Sequence, residues 1–181
     1  MKGLDQYLVP YIISQVVGLG ILLAAALNIR LTRILFSVIF LYAGCYNMYI
    51  GLIKPDTYLG FSELAIPLYR DFINGWFSQN NHVVIPLIAF GQLLISVGMI
   101  LRGRWVVMAC VGVIIFLLSI SPLMVGSAFP FSIPVSIAAM MILRKKDFDY
   151  IWVRKNNDAS LNIKQPGSVI RDPYQHASKN T

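Results

Sequence analysis

Charge is scarce in this 181-residue chain. Asp, Glu, Lys and Arg make up 13% of it, against roughly 25% in an ordinary soluble domain. Four stretches of 24, 20, 30 and 39 residues contain none of these side chains; they are residues 6–29, 34–53, 72–101 and 105–143. Because about 20 apolar residues cross a bilayer once, the pattern excludes a soluble globular domain and predicts a polytopic membrane protein.

The residue types that perform most chemistry are also rare. The chain has two histidines, His82 and His176, and two isolated cysteines, Cys45 and Cys110. This excludes a histidine cluster for haem or metal and gives no support to thiol–disulfide chemistry. No phosphate-binding glycine loop or hydrolase motif is visible, and no Asp, Glu, Lys, Arg or His lies within a predicted membrane span to relay protons. We therefore expect no catalytic residues, no metal site and no resident cofactor, and we favour a protein that is not an enzyme.

The apolar stretches predict an all-α fold, a transmembrane helical bundle over residues 1–143. The expected spans are 7–27, 34–53, 83–101, 105–125 and 127–143. The longest stretch must be a hairpin, because one helix of that length would extend about 58 Å, and the prolines between residues 122 and 134 supply the break. The first span has a rival interpretation as a cleaved signal peptide ending at Ala24-Ala25-Ala26, although its apolar length favours a retained helix.

The distribution of basic residues predicts the orientation. If the five spans alternate, 3 of the 15 Lys and Arg residues fall on one side and 12 on the other. Basic loops stay in the cytoplasm, so the N-terminus is expected outside and residues 144–181 form a polar, basic cytoplasmic tail. The net charge of +7 is then an orientation signal, and we expect no nucleic-acid partner.

Residues 58–77 predict an amphipathic segment at the outer interface. Its apolar residues recur at steps of four, three, four and four, which is helical spacing; they are Phe61, Ala65, Leu68, Phe72 and Trp76. Pro67 is expected to kink or divide the element. Two interpretations stay open: an interfacial helix that caps the bundle or gates a cavity, and an ordinary loop helix packed on the bundle rim.

Uncharged polar residues cluster at one depth, in the outer half of the predicted bundle. They are Gln15, Tyr42, Tyr46, Asn47, Tyr49, Gln92 and Ser119. Such amides can join helices through hydrogen bonds. Alternatively, the set lines an outward-opening pocket for a lipophilic ligand, with the tyrosines as walls and Glu63, Arg70 and His82 at its mouth.

Short motifs in the second to fifth spans resemble a known family. They are Phe40-Leu41-Tyr42-Ala43-Gly44, the external segment with Pro67, Phe90-Gly91-Gln92 and the basic turn Arg102-Gly103-Arg104. Over residues 33–143 the chain is similar to the DoxX-like family of small bacterial membrane proteins. The resemblance implies a four-helix core in the bacterial cytoplasmic (inner) membrane, with the first helix as an addition. Asn47 and Gln92 stand where such proteins often carry ionisable residues, which weakens any redox role.

These features lead to one main functional hypothesis and two alternatives. The main one is a non-catalytic accessory subunit that lies in the lipid bilayer and binds another membrane protein or a second copy of itself. The first alternative is a subunit of a quinone-linked oxidoreductase, with the quinone in the outer-half pocket. The second is a small-solute transporter, which needs a polar path through the inner half that the sequence does not show.

Overall fold

The structure, a computed structural model, describes residues 4–126 and 129–152, and this part contains helices and no strand. The α-helices are α1 (Leu4–Leu27), α2 (Ile29–Ile53), α3 (Pro67–Phe72), α4 (Ser78–Ile100), α5 (Arg104–Ile120) and α6 (Ser132–Lys145). Two 3-10 helices cover Pro55–Glu63 and Ser121–Gly126, and a π-helical turn, Ile73–Phe77, joins α3 to α4. The prediction of an all-α helical bundle is confirmed for the described residues.

Within residues 4–126 and 129–152, three helices are long and apolar enough to cross a membrane. They are Ile29–Ile53, the continuous helix Pro67–Ile100 and Arg104–Leu123. Tyr11–Leu27 is a shorter apolar helix. Helix α6 has 14 residues and is therefore about 21 Å long, less than the roughly 30 Å of a hydrocarbon core.

In the last predicted hairpin, the first helix ends and the second helix begins at other residues than the sequence predicts. The fourth span, expected over 105–125, is α-helical to Ile120 and continues as the 3-10 helix Ser121–Gly126. The fifth, expected from residue 127, begins as an α-helix at Ser132. Pro134 then falls in the first turn of α6, where its missing N–H costs no helical hydrogen bond. Of the tail predicted over 144–181, residues from 153 onward lie outside the described residues.

Large apolar side chains are exposed around the bundle. Leu23 of α1, Leu52 of α2, Leu87 of α4 and Leu118 of α5 are each more than half exposed. A soluble surface rarely presents apolar area on this scale. The exposed faces of the helices therefore agree with a protein surrounded by lipid.

Helices α2 and α4 share the most extensive helix–helix contact in the described part of the chain, and glycines of α2 permit it. A Cβ atom on Gly44 would lie 2.8 Å from Leu93 Cδ2 and 3.1 Å from the carbonyl oxygen of Ala89. One on Gly51 would lie 2.8 Å from Ile85 Cγ2. Nearer the other end of the same seam, the Ser96 hydroxyl donates to the carbonyl of Ser37 at 2.8 Å. Small residues thus let the two backbones approach, as is common for helices packed in membranes.

Helix α1 packs mainly on α6, and a lysine joins their ends. Lys145 Nζ donates to the carbonyl oxygens of Ala25 and Ala26 at 3.0 and 2.8 Å. These carbonyls belong to the last turn of α1, where they have no intrahelical partner. The Asn28 side chain caps the start of α2 by accepting from the amides of Arg30 and Leu31. The chain therefore reverses between α1 and α2 at one residue.

A buried arginine holds the same end of the bundle together. Arg33 has no exposed surface, and its guanidinium donates four hydrogen bonds to backbone carbonyls. The acceptors are Met99, Leu101, Asp147 and Asp149, at 3.0, 2.6, 3.1 and 2.7 Å. Arg33 thus ties α2 to the end of α4 and to the segment after α6. We call this end, which also holds Asn28 and Lys145, the basic end.

The opposite end, the aromatic end, is built from the segment between α2 and α4. We predicted an amphipathic segment over 58–77 that Pro67 kinks or divides, and the structure has a 3-10 helix, a break at residues 64–66, α3 and a π-helical turn there. Pro67 begins α3, as its expected dividing role requires. Because the segment is interrupted, the apolar residues predicted for one face do not share one environment. Ala65 is buried, while Leu68 and Trp76 are exposed.

Candidate ligand-binding cavity

Hydrogen bonds fix the segment 55–77 over the aromatic end. Asn81, which is buried at the start of α4, donates from Nδ2 to Asp56 Oδ1 at 2.7 Å. The backbone N–H of Ile66 donates to the carbonyl of Pro122 at 3.1 Å. The first bond attaches the 3-10 helix to α4, and the second attaches the break to the end of α5. The segment therefore closes over the space between these helices.

Beneath this segment lies a cavity of about 500 Å³, which we call the aromatic cavity. Its lining is mostly rings and branched aliphatic side chains: Phe61, Tyr69, Phe72, Ile73, Phe77, Val84, Ile85, Ile88, Phe116, Ile120 and Leu123. Asn47, Tyr58 and Ser119 complete the described lining, and with Tyr69 they are its four side chains that carry a polar group. A concave apolar space with a few polar groups is the usual form of a small-molecule site.

The polar edge of the aromatic cavity is a chain of hydrogen bonds. The Tyr58 hydroxyl donates to Asn47 Oδ1, and Asn47 Nδ2 donates to Gln92 Oε1 at 2.7 Å. Gln92 is 2% exposed, so this chain runs from the interfacial 3-10 helix into the bundle core. An amide nitrogen carries two N–H groups and a phenol oxygen can also accept. Asn47 and Tyr58 therefore keep hydrogen-bonding capacity toward a molecule in the cavity.

The cavity lining is electrically neutral. The described residues that line it include no Asp, Glu, Lys, Arg or His. Burial, followed by the neighbouring Tyr46, raises the pKa of the Tyr58 hydroxyl above its ordinary value. Since this phenol ordinarily ionises near pH 10, it is a neutral donor at physiological pH. The site is suited to an uncharged ligand with an oxygen function at one edge.

The residues predicted for the pocket separate into two groups. Asn47 and Ser119 line the aromatic cavity, and Gln92 lies behind Asn47. Gln15 is elsewhere, on α1, where its amide donates to the neighbouring Ser14 hydroxyl at 3.2 Å. Because α1 packs mainly on α6, its polar residue does not join the α2–α4 pair. The amides were expected either to join helices or to line a pocket, and Asn47 does both.

The tyrosines predicted as walls lie on another face of α2. Tyr42, Tyr46 and Tyr49 are 72%, 51% and 61% exposed, and none of them is among the cavity-lining residues. The rings of Tyr42 and Tyr46 stack on each other, with centroids 6.2 Å apart. The walls are supplied instead by the segment 55–77, by α4 and by α5. The sequence signal for Tyr58 and Tyr69 was only their position in an aromatic-rich loop.

The three residues predicted at the pocket mouth also lie outside the cavity lining. Glu63, Arg70 and His82 are exposed. Arg70 Nε donates to the carbonyl of Ser62 at 3.2 Å, which braces the 3-10 helix against α3. In the structure, Arg70 therefore has a local role in the fold of the segment.

A second, smaller cavity lies deeper in the bundle. It has a volume of about 190 Å³ and is lined by residues of α1, α2, α5 and α6 together with Gln92. Phe116 and Ile120 line both cavities. These two side chains of α5 therefore separate the aromatic cavity from the bundle core.

Comparisons with known proteins assign no family. No family model, no curated protein and no solved structure matches the chain. Among residues 4–126 and 129–152, no group of three or more His, Cys, Asp or Glu is placed to hold a metal ion. What the chain does must therefore be argued from its own geometry.

Proposed function

We propose that this chain is a non-catalytic accessory subunit of a membrane complex that binds a lipophilic molecule in the aromatic cavity. In this proposal it is a DoxX-like protein of the bacterial cytoplasmic membrane. It has five spans, the aromatic end outside and residues 144–181 in the cytoplasm. The unequal division of Lys and Arg supports this orientation.

The observation that carries the ligand-binding part is the composition of the aromatic cavity. About 500 Å³ lies within the range of small-molecule sites. The lining is mostly apolar, and its polar groups are neutral amide and hydroxyl groups, of which those of Asn47 and Tyr58 are hydrogen-bonded to each other. Such a site favours a largely apolar molecule with a carbonyl or hydroxyl group, which Asn47 and Tyr58 would orient. A lipid-soluble compound meets this description.

The tyrosine stripe of α2 supports the partner-binding part. Tyr42 lies 13 residues from the start of α2 at Ile29, which is about 20 Å along the helix and thus near the middle of a span. A phenol hydroxyl facing hydrocarbon lacks the hydrogen bonds that water would give it. A second protein packed on Tyr42 and Tyr46 would supply acceptors and cover both rings.

Mild extraction from native membranes tests both parts together. We expect the chain to elute as part of a larger complex and to retain one apolar small molecule that mass spectrometry identifies. Replacing Tyr42 and Tyr46 by Leu should release the partner. Phe90→Leu, which alters an exposed aromatic residue without a hydroxyl on α4, should not. A lone monomer that carries only bulk lipid would contradict the proposal.

A quinone-linked oxidoreductase subunit is the second candidate. It is favoured by one observation: the Asn47 amide stands beside the rings that line the cavity, and a quinone is a flat ring with carbonyl acceptors. The electron donor would be a partner subunit that delivers two electrons while the quinone takes up two protons. This candidate expects a quinone in the organic extract and quinone reduction that is lost in Asn47→Leu and Gln92→Leu. Unchanged reduction in both variants would remove the site assignment.

A further inference from the structure

A large cavity opens at the basic end, on the far side of the bundle from the aromatic cavity. It has a volume of about 930 Å³ and lies between the turn that joins α4 to α5 and the segment that follows α6. We call it the basic cavity. Its lining combines cations with exposed aromatic and apolar side chains, so its chemistry differs from that of the neutral aromatic cavity.

Among the described residues, three cations and one carboxylate line the basic cavity. Arg102, Arg104 and Lys146 are the cations, and Asp149 is the acid. The nearby Asp147 lies 3.7 Å from Arg30, Oδ2 to Nε, so its charge is opposed by a residue outside the lining. The local excess is positive, and it favours an anionic ligand.

The basic cavity is also braced. The Arg102 guanidinium lies 5.1 Å from the centre of the Tyr150 ring, and Tyr150 stacks on Trp152. The amide of Gly103 donates to the carbonyl of Phe148 at 2.9 Å. Together with the hydrogen bonds from Arg33 to Asp147 and Asp149, these contacts hold the two walls together.

Helix α5 adds a second source of positive potential. It begins at Arg104, and no side chain caps its N-terminus. The first amides of a helix have no intrahelical acceptor, and with the helix dipole they favour an anion such as phosphate. Here the 17-residue helix begins directly in the cavity lining, beside two arginines.

The apolar side chains of the lining favour the phosphate group of a lipid over free phosphate. Trp105 and Met108 are 57% and 63% exposed and are three residues apart on α5, so they occupy one face of a helix that is apolar enough to cross a membrane. Tryptophan at the end of such a helix is typical of the headgroup level. A free phosphate makes no favourable contact with this apolar face, whereas the acyl chain of a lipid would pack along it.

We infer that the basic cavity binds the headgroup of an anionic phospholipid, with its phosphate between Arg102, Arg104 and the first turn of α5. Lys146 approaches from the opposite wall, and one acyl chain runs past Trp105 toward Met108. The inference rests on the chain being a membrane protein. It does not depend on a ligand in the aromatic cavity.

The test is a lipid titration of the full-length protein in mild detergent, read by native mass spectrometry and thermal unfolding. Phosphatidylglycerol should bind and raise the unfolding midpoint, whereas phosphatidylcholine and inorganic phosphate should not. Arg102→Gln with Arg104→Gln should weaken phosphatidylglycerol binding roughly 30-fold, as expected from the loss of two interfacial charges. Lys54→Gln with Arg70→Gln removes the same charge at the other end and should leave the affinity unchanged.

Each contrary outcome overturns a definite part of the inference. Equal binding of phosphatidylglycerol and phosphatidylcholine, or equal loss in both double variants, would show nonspecific attraction. Protection by inorganic phosphate at similar concentrations would replace the lipid by a soluble anion. Arg102 and Arg104 are exposed, so without lipid the double variant should lower the unfolding midpoint only by the loss of the Arg102–Tyr150 contact, and Arg102→Gln alone measures that loss. Val84→Trp fills the aromatic cavity and should leave phosphatidylglycerol binding unchanged. That result would show that the lipid site at the basic end is independent of the proposed ligand site.

Discussion

Asn47 Nδ2 donates to Gln92 Oε1 across the α2–α4 seam, at 2.7 Å and inside a membrane-type bundle. Two amides that lie 45 positions apart in the sequence thus satisfy each other where water is excluded. The Tyr58 hydroxyl completes the chain on the other side of Asn47. This contact joins the helices and also forms the polar edge of the aromatic cavity.

The Asn47–Gln92 pair should show strong coupling in a double-mutant cycle. Asn47→Leu leaves buried Gln92 without its partner, which should lower the free energy of unfolding by about 1–3 kcal/mol. Adding Gln92→Leu should cost less than the sum of the single changes, since both polar groups are then removed. Unfolding of the four proteins in mixed micelles measures the coupling, and strictly additive losses would contradict the hydrogen bond.

Position 44 should tolerate only glycine, because α4 leaves no room for a larger side chain there. Gly44→Ala places a methyl group 3.1 Å from the carbonyl oxygen of Ala89, a backbone atom that cannot rotate away. We expect a loss of about 1–3 kcal/mol of stability. Gly91 is the matched control, because a Cβ there meets nothing within 4 Å and alanine favours a helix by roughly 0.5–1 kcal/mol. Thermal unfolding of both variants in detergent should shift in opposite directions; equal shifts would argue against a close seam.

Replacing Arg33 should loosen the basic end. Arg33→Met removes the donor from four backbone carbonyls, and we expect a loss of at least about 3 kcal/mol, since each buried unpaired group costs about 1–3 kcal/mol. Hydrogen exchange should rise first in the last turn of α4 and in residues 147–152. Arg144→Met changes an exposed arginine of the same end and should cost less than about 1 kcal/mol. Similar losses in the two variants would contradict the structural role of Arg33.

Tyr58 should make the aromatic end sensitive to alkali. Because burial raises the pKa of its hydroxyl in the folded protein, the folded state holds this proton more tightly than the unfolded state. The contribution to stability is constant below the unfolded pKa of about 10 and is lost as the pH rises from there toward the folded pKa. Comparing the unfolding midpoint of Tyr58→Phe with that of the unchanged protein between pH 8 and 11 isolates this term. Parallel curves would show that Tyr58 is not buried.

The sequence predicted the helices and the common level of Asn47 and Gln92, because both depend on quantities that a single chain displays. Charge-free runs mark the apolar helices, and residue counts from their ends placed Asn47 and Gln92 at a common level. Rotation about a helix axis is not visible in that way. Consecutive residues of a helix are about 100° apart, so Tyr46 and Asn47 share a depth and face different surroundings. The sequence therefore grouped the tyrosines with the amide, whereas the structure exposes them.

Contacts that end on backbone atoms were equally invisible to the sequence. Arg33 looked like one more basic loop residue, yet its acceptors are carbonyls 66 to 116 positions away. Every residue has a backbone carbonyl, so the sequence does not show which carbonyls will accept a hydrogen bond from a distant side chain. The same holds for Lys145 on the end of α1. Side-chain pairs such as Asn47 with Gln92 can be proposed from residue types, whereas these contacts require the fold.

The most direct test of the proposed ligand site is to fill the aromatic cavity and ask what the protein still carries. Val84 lines the cavity, so Val84→Trp should occupy the space of a ligand. Val97→Trp adds the same group at a half-exposed position of the same helix. Organic extracts of the unchanged protein and of Val97→Trp, analysed by mass spectrometry, should contain one shared apolar molecule at near-stoichiometric amount, and the Val84→Trp extract should lack it. Equal retention in all three proteins, or no molecule beyond bulk lipid and detergent, would contradict a ligand site at this end of the bundle.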